Sequence, residues 1–187
     1  MPGHRTSDNF DPPLQSAIRH PLSDQMNDHL AADLRRMYQG NAWHGPAVLE
    51  AIRDLSAEQA AARPVREAHT IYELTHHIAA WMGEVTSRLQ GNPPGMPADG
   101  DFPPKSARVD DAAWSDVRAR LERRQVELLV TLADFDAARL DDAVDPKNRK
   151  DVEGPVSYRA LLSGLAQHSA YHAGQIMLLR KALPPAV

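Results

Sequence analysis

The chain has 187 residues, no cysteine and a formal charge of −4. That length suits one domain with its own core, and the absence of cysteine excludes disulfides, thiolate metal sites and a cysteine nucleophile. The mild charge holds no block of Lys or Arg to track phosphates, so nucleic acid is not an expected partner. No apolar run reaches the ~18 residues that a membrane span needs. Met1-Pro2-Gly3-His4-Arg5 leads into polar residues rather than the apolar centre of a secretion signal. The expectation is a cytoplasmic protein with no membrane contact.

Residues 1–21 have few apolar side chains and no period, and they read as a flexible arm. From Ser23 to Tyr38 the pattern is helical, with Met26, Leu30, Leu34 and Met37 spaced by three and four. Gly40-Asn41 breaks it. Pro46 then suits the first turn of a helix over Ala47–Leu55, and Ser56 to Gln59 reads as a short capped turn. Thr70 and Glu73 form a capping box, a hydroxyl at the cap and a carboxylate three residues on. The helix they open carries a stripe of Leu74, Ile78, Trp81, Val85 and Leu89 and stops at Gly91-Asn92-Pro93-Pro94.

Residues 91–109 are rich in Pro and Gly and have no period. A link this long is unusual inside a compact domain. It can run from one end of a bundle to the other, which would make the flanking helices parallel. Asp110 or Asp111 can cap the next helix, whose stripe is Trp114, Val117, Leu121, Leu128, Leu132 and Phe135. Asp136–Pro155 reads as a polar loop. Ser157 starts the last helix, with Leu161, Leu165, Ile176 and Leu179 on one face, and Leu183-Pro184-Pro185 ends it. No alternating Val/Ile run suggests a sheet. The reading is all-α: a four-helix bundle with one long crossover between helices two and three, plus a small helical piece near the N-terminus.

The chemistry lies in the histidines. His168 and His172 differ by ~40° around the helix and ~6 Å along it, so both can reach one ion. Both fall in the middle of the apolar stripe of the last helix and should therefore point into the bundle. Burying two imidazoles costs free energy unless each finds a partner. A shared metal is one answer; two core histidines bonded to backbone or water is the other. A third ligand can come from the Thr70 helix. There His77 lies at the edge of the stripe beside Trp81, while His76 lies nearly opposite and should face solvent. Three neutral histidines would leave a position open, as in catalytic sites, and imidazole suits zinc, nickel, iron or manganese. Two further side chains are weaker candidates. His44, next to Trp43, could serve as an acid or base at a pocket mouth or be a surface histidine. Gln125 interrupts an apolar stripe and could bond a metal-bound water or a ligand imidazole, or face water. Glu73 is a cap that also stands one turn before His77. Gly174 could admit a closely packed helix. Trp81 and Trp114 read as core, and Arg118, Arg120, Arg123 and Arg124 as a solvated face.

Two phrases carry a family resemblance. They are His69-Thr70-Ile71-Tyr72-Glu73-Leu74-Thr75-His76-His77-Ile78-Ala79-Ala80-Trp81 and His168-Ser169-Ala170-Tyr171-His172-Ala173-Gly174-Gln175-Ile176. Together they resemble the DinB (DinB/YfiT-like) family from about residue 25 to the C-terminus. The resemblance implies an up-down-down-up four-helix bundle over 22–187. It also implies one divalent metal held by one histidine of helix two and two of helix four, which map onto His77, His168 and His172. It implies a homodimer as well. A phrase like the one around Trp43 and His44 recurs in one branch of the family. Characterised relatives include S-transferases that use small thiols such as bacillithiol and a mycothiol-dependent maleylpyruvate isomerase. The expected function is therefore a metal-dependent transferase acting on a small thiol and an electrophile. A metal-dependent hydrolase is the alternative, although no inward carboxylate stands out as its base. A stress-associated, non-catalytic metal-binding bundle is the third reading.

Overall fold

Each of the later long helices begins where a side chain satisfies an orphan backbone N–H. A computed structural model describes residues 21–104, 107–145 and 156–184. The arm expected over residues 1–21 lies outside the described residues except for Pro21, as does the second half of the Asp136–Pro155 loop.

The described chain is all-helical: α1 (Pro21–Gln39), α2 (Val48–Ile52), α3 (Ala57–Ala61), α4 (Ile71–Leu89), α5 (Asp111–Asp134) and α6 (Tyr158–Ala182). Thr70 caps α4 as its motif predicts, accepting from the Glu73 N–H at 3.1 Å while the Glu73 carboxylate takes the Thr70 N–H at 2.9 Å. Asp110 rather than Asp111 caps α5, and Ser157 caps α6. The Ser56–Gln59 turn is a true capping box that opens α3. The start of the polar loop is more ordered than its composition suggests. It forms a 3-10 turn over Ala137–Arg139, and the Leu140 that follows is fully buried. Among the described residues no helix is long and apolar enough to cross a membrane.

α4 packs against α5 and α6, and α1 packs against the same two. Their shared core holds Leu34, Ile78, Met82, Leu121, Leu128, Leu132, Leu162 and Ile176. Trp114 is buried there too, its indole N–H donating to the Leu55 carbonyl at 2.8 Å. The predicted stripes need two adjustments. On α6 the buried side centres on Leu162, Leu165, Ser169, His172 and Ile176, while Leu161 is half-buried. On α4 burial runs nearly all the way round, because the link between α4 and α5 folds over the side away from the core.

Gly174 does not admit a neighbouring helix. It is exposed, and a Cβ built on it meets nothing within 4 Å. Glycine in a helix interior is entropically costly. Gly174→Ala should therefore stabilise the protein by about 0.5–1 kcal/mol, read as a higher urea midpoint at unchanged slope. A loss of stability would show that something covers this position.

Candidate metal centre

Three imidazoles from two helices meet at one point. His77 is presented by α4, and His168 and His172 by successive turns of α6. The Nε2 of His168 lies 3.0 Å from the Nε2 of His77 and 3.0 Å from the Nε2 of His172. One nitrogen from each ring lies within 4.8 Å of the others. Nitrogens bound at ~2.0–2.1 Å to a tetrahedral ion stand about 3.4 Å apart, so the spacing fits a shared cation.

Protonation makes the same point independently. The Nδ1 of His77 faces two acceptors of Asp101, Oδ1 at 2.9 Å and the backbone carbonyl at 3.1 Å. The Nδ1 of His172 lies 2.6 Å from the Gln175 Oε1. Acceptors on that side place the ring proton on Nδ1 in both, so each neutral ring turns an Nε2 lone pair inward. His168 can offer one Nε2 proton, which satisfies one lone pair and leaves the other facing a filled nitrogen. A cation at the focus satisfies all three. The outer contacts are those that orient histidine ligands in metal sites, a carboxylate on one ring and an amide on another.

The walls are aromatic. Phe102 stacks on His77 with ring centres 4.3 Å apart, and His69 stacks on the other face of Phe102 at 3.8 Å. Trp81 stands edge-on to His77 and His168, and its indole N–H donates to the Asp101 Oδ1 at 2.8 Å. Tyr171 is exposed and stands against His172, its hydroxyl accepting from the Gln175 amide at 3.1 Å. His168 is half-buried at the edge of the buried side of α6 rather than in its middle.

Burial, and then the neighbouring rings of His172 and His77, push the His168 imidazole down to about 4. Burial likewise lowers His172, partly opposed by Gln175. The unfolded chain therefore binds protons that the metal-free folded chain resists, so stability rises with pH across this range. The metal-free protein should hold its stability above pH 7 and lose it as pH falls from the ordinary 6.5 towards about 4. Bound metal, which competes with the same protons, should move that loss to lower pH. Urea midpoints measured against pH with chelator and with zinc check both statements. A flat profile between 7 and 4 without metal would contradict the first.

The other candidates lie elsewhere. His44 is exposed and lines a groove with Trp43, Leu30, Met37, Ala166 and Gln167; none of the three clustered histidines lines it. Gln125 is buried, and its amide donates to the Leu34 carbonyl of α1 at 3.2 Å. Among the described residues its carbonyl oxygen has no hydrogen-bond partner. It ties α5 to α1 rather than bonding a ligand. Glu73 serves its cap and also pairs with Arg63 at 2.7 Å and His69 at 3.1 Å. Burial raises its carboxyl, but these contacts outweigh it and hold the group below its ordinary value.

The solvent-facing assignment of His76 is wrong. His76 is buried, with its Nε2 3.1 Å from the Asp99 carbonyl and its Nδ1 3.3 Å from Arg120. A helical wheel with one inward face cannot foresee the link that covers the opposite side. The arginine face is also only partly solvated. Arg118 and Arg123 are exposed, whereas Arg120 and Arg124 turn towards the link. Sequence reasoning missed Asp101 and Phe102, which sit in an aperiodic segment, and gave no role to Gln175. The last could have been found, because it follows His172 by three residues on one helix.

The fold and site together define an all-helical protein with a buried-to-half-buried histidine triad suited to a divalent cation. A family profile described as DinB superfamily matches residues 28–176, and the chain belongs to that superfamily. No curated protein and no solved structure matches the chain.

Proposed function

We propose that this is a metal-dependent enzyme in which His77, His168 and His172 hold one divalent cation, zinc, nickel, iron or manganese, and that it transfers a small thiol to an electrophile. The observation that carries the reading is the convergence of three Nε2 atoms, two of them with their proton fixed on the outer nitrogen. A cation held there would act as a Lewis acid that lowers the pKa of a thiol, making thiolate available near neutrality.

The chain's own residues do the rest. Asp101 and Gln175 keep the ligand rings in the correct tautomer. Phe102 shields one face of His77, and Trp81 and Tyr171 flank the cluster with apolar surface against which an electrophile can lie. The up-down-down-up bundle belongs to this reading. It is supported by the register of α4 and α5, where Arg120 meets His76 and Arg124 meets Gly83 further along both helices.

The test begins with elemental analysis of protein purified without a histidine tag. Metal-loaded protein is then assayed with bacillithiol, mycothiol and glutathione against model electrophiles. Thiol-dependent turnover that disappears on chelation is expected. No dependence on any of the three thiols would defeat the transferase reading.

Asp101 favours a second reading, metal-assisted hydrolysis, since it brings a carboxylate to the cluster that the sequence did not reveal. Its Oδ1 already serves His77 and Trp81, which makes it a better orienting group than a base. Ester and amide substrates in the same screen separate the two.

A further inference from the structure

The link between α4 and α5 is fastened at Asp99 by groups that never touch the histidine cluster. The Arg124 guanidinium of α5 donates to the Asp99 Oδ2 at 2.9 Å. Arg124 reaches it by lying over Gly83, where a Cβ would come within 3.0 Å of its Nε. His76 holds the Asp99 carbonyl from the other side at 3.1 Å. Arg120 can only donate, so the Nδ1 of His76 accepts from it and the Nε2 proton is directed at Asp99. Two residues on, Asp101 accepts hydrogen bonds from the His77 Nδ1–H and the Trp81 indole N–H. The next residue, Phe102, is sandwiched between His77 and His69.

We propose that Arg124 and Asp99 are positioning residues for the metal ligand His77, acting through the Asp99–Phe102 segment that presents Asp101 to its ring. The inference rests on the metal reading of the triad. The geometry explains why a half-exposed ion pair matters here. On its own such a pair contributes little to stability and has no bearing on a site elsewhere. Fastened to the segment that supplies the outer hydrogen bond of a ligand, it sets where that hydrogen bond is made. Outer contacts of this kind change metal affinity by about 10–100-fold when lost.

The experiment is a double-mutant cycle on zinc affinity, measured by competition with a chelating dye, with the visible spectrum of the cobalt-substituted protein as a second readout. Arg124→Gln should weaken zinc binding about tenfold and alter the cobalt spectrum, with Arg124→Lys recovering part of the loss. Asp101→Asn should weaken it by about 10–100-fold. The double variant should fall well short of the product of the two losses, because Arg124 acts through the segment that presents Asp101. An affinity for Arg124→Gln within twofold of the parent, or losses that multiply in the double variant, would overturn the proposal. If Arg124→Gln does not fold, Asp99→Asn, which keeps the carbonyl for His76, takes its place with the same expectation. A parent protein that binds no zinc or cobalt would instead defeat the metal reading itself.

Discussion

His172→Ala is expected to weaken binding of a divalent cation by about a thousandfold and to abolish most of the stabilisation that the cation confers. The ring supplies one of three nitrogens at the focus, and its replacement leaves two ligands, His77 and His168, with Nε2 atoms 3.0 Å apart. It also deprives Gln175 of the donor that it accepts at 2.6 Å. A ligand present at a thousand times its dissociation constant stabilises the folded state by about 4 kcal/mol. For a chain of this size that corresponds to roughly 10 °C in melting temperature. Zinc should therefore raise the melting temperature of the parent by about that amount and leave His172→Ala almost unmoved. His44→Ala is the control, since that side chain is exposed in a separate groove, and its zinc response should equal the parent's. Equal zinc shifts in the parent and in His172→Ala would remove the triad as a metal site.

Leu128→Ala should have the largest effect on the metal-free protein, a loss on the order of 3–4 kcal/mol. Leu128 is fully buried in the C-terminal half of α5, on the same face as Leu121 and Leu132, in the core that α5 shares with α1 and α4. Truncation removes its transfer free energy and leaves a cavity between long helices that cannot collapse locally. Val126, on the outer side of α5 and 56% exposed, should tolerate alanine with a change below about 0.5 kcal/mol. Urea denaturation should show the midpoint falling at constant slope for Leu128→Ala. A cost below about 1 kcal/mol would mean that the inward face of α5 has been misassigned.

Helix ends were the most legible feature because capping is local. Thr70 with Glu73, Asp110 and Ser157 each bond an N–H within three residues, so composition over one turn suffices to place them. The pairing within a single helix was legible for the same reason, since four residues of helix bring His168 and His172 to adjacent turns whatever surrounds them. His77 could be chosen over His76 because only one of two consecutive residues can share the side of Trp81. That choice said nothing about whether the rings from α4 and α6 would meet.

Burial on the far side of α4 was not legible. A wheel assumes one core and one solvent face, and the link from α4 to α5 supplies a second cover. His76 was misplaced for that reason, and Arg120 and Arg124 with it. Asp101 and Phe102 had no signal at all. They lie 24 and 25 residues from His77 in a segment without period, and their role exists only because the link folds back on the helix that precedes it.

Taken alone, then, the order of the residues decided where the helices start and stop and which histidines could share a face, since those properties depend on contacts a few residues apart. Only the packed chain decided that the three rings converge, with His168 Nε2 3.0 Å from each of the other two, that Asp101 fixes the proton on His77 and that Gln125 serves α1 instead. The reason is physical: these are contacts between segments distant in sequence, and their geometry is set by how whole helices and the link between them fill space.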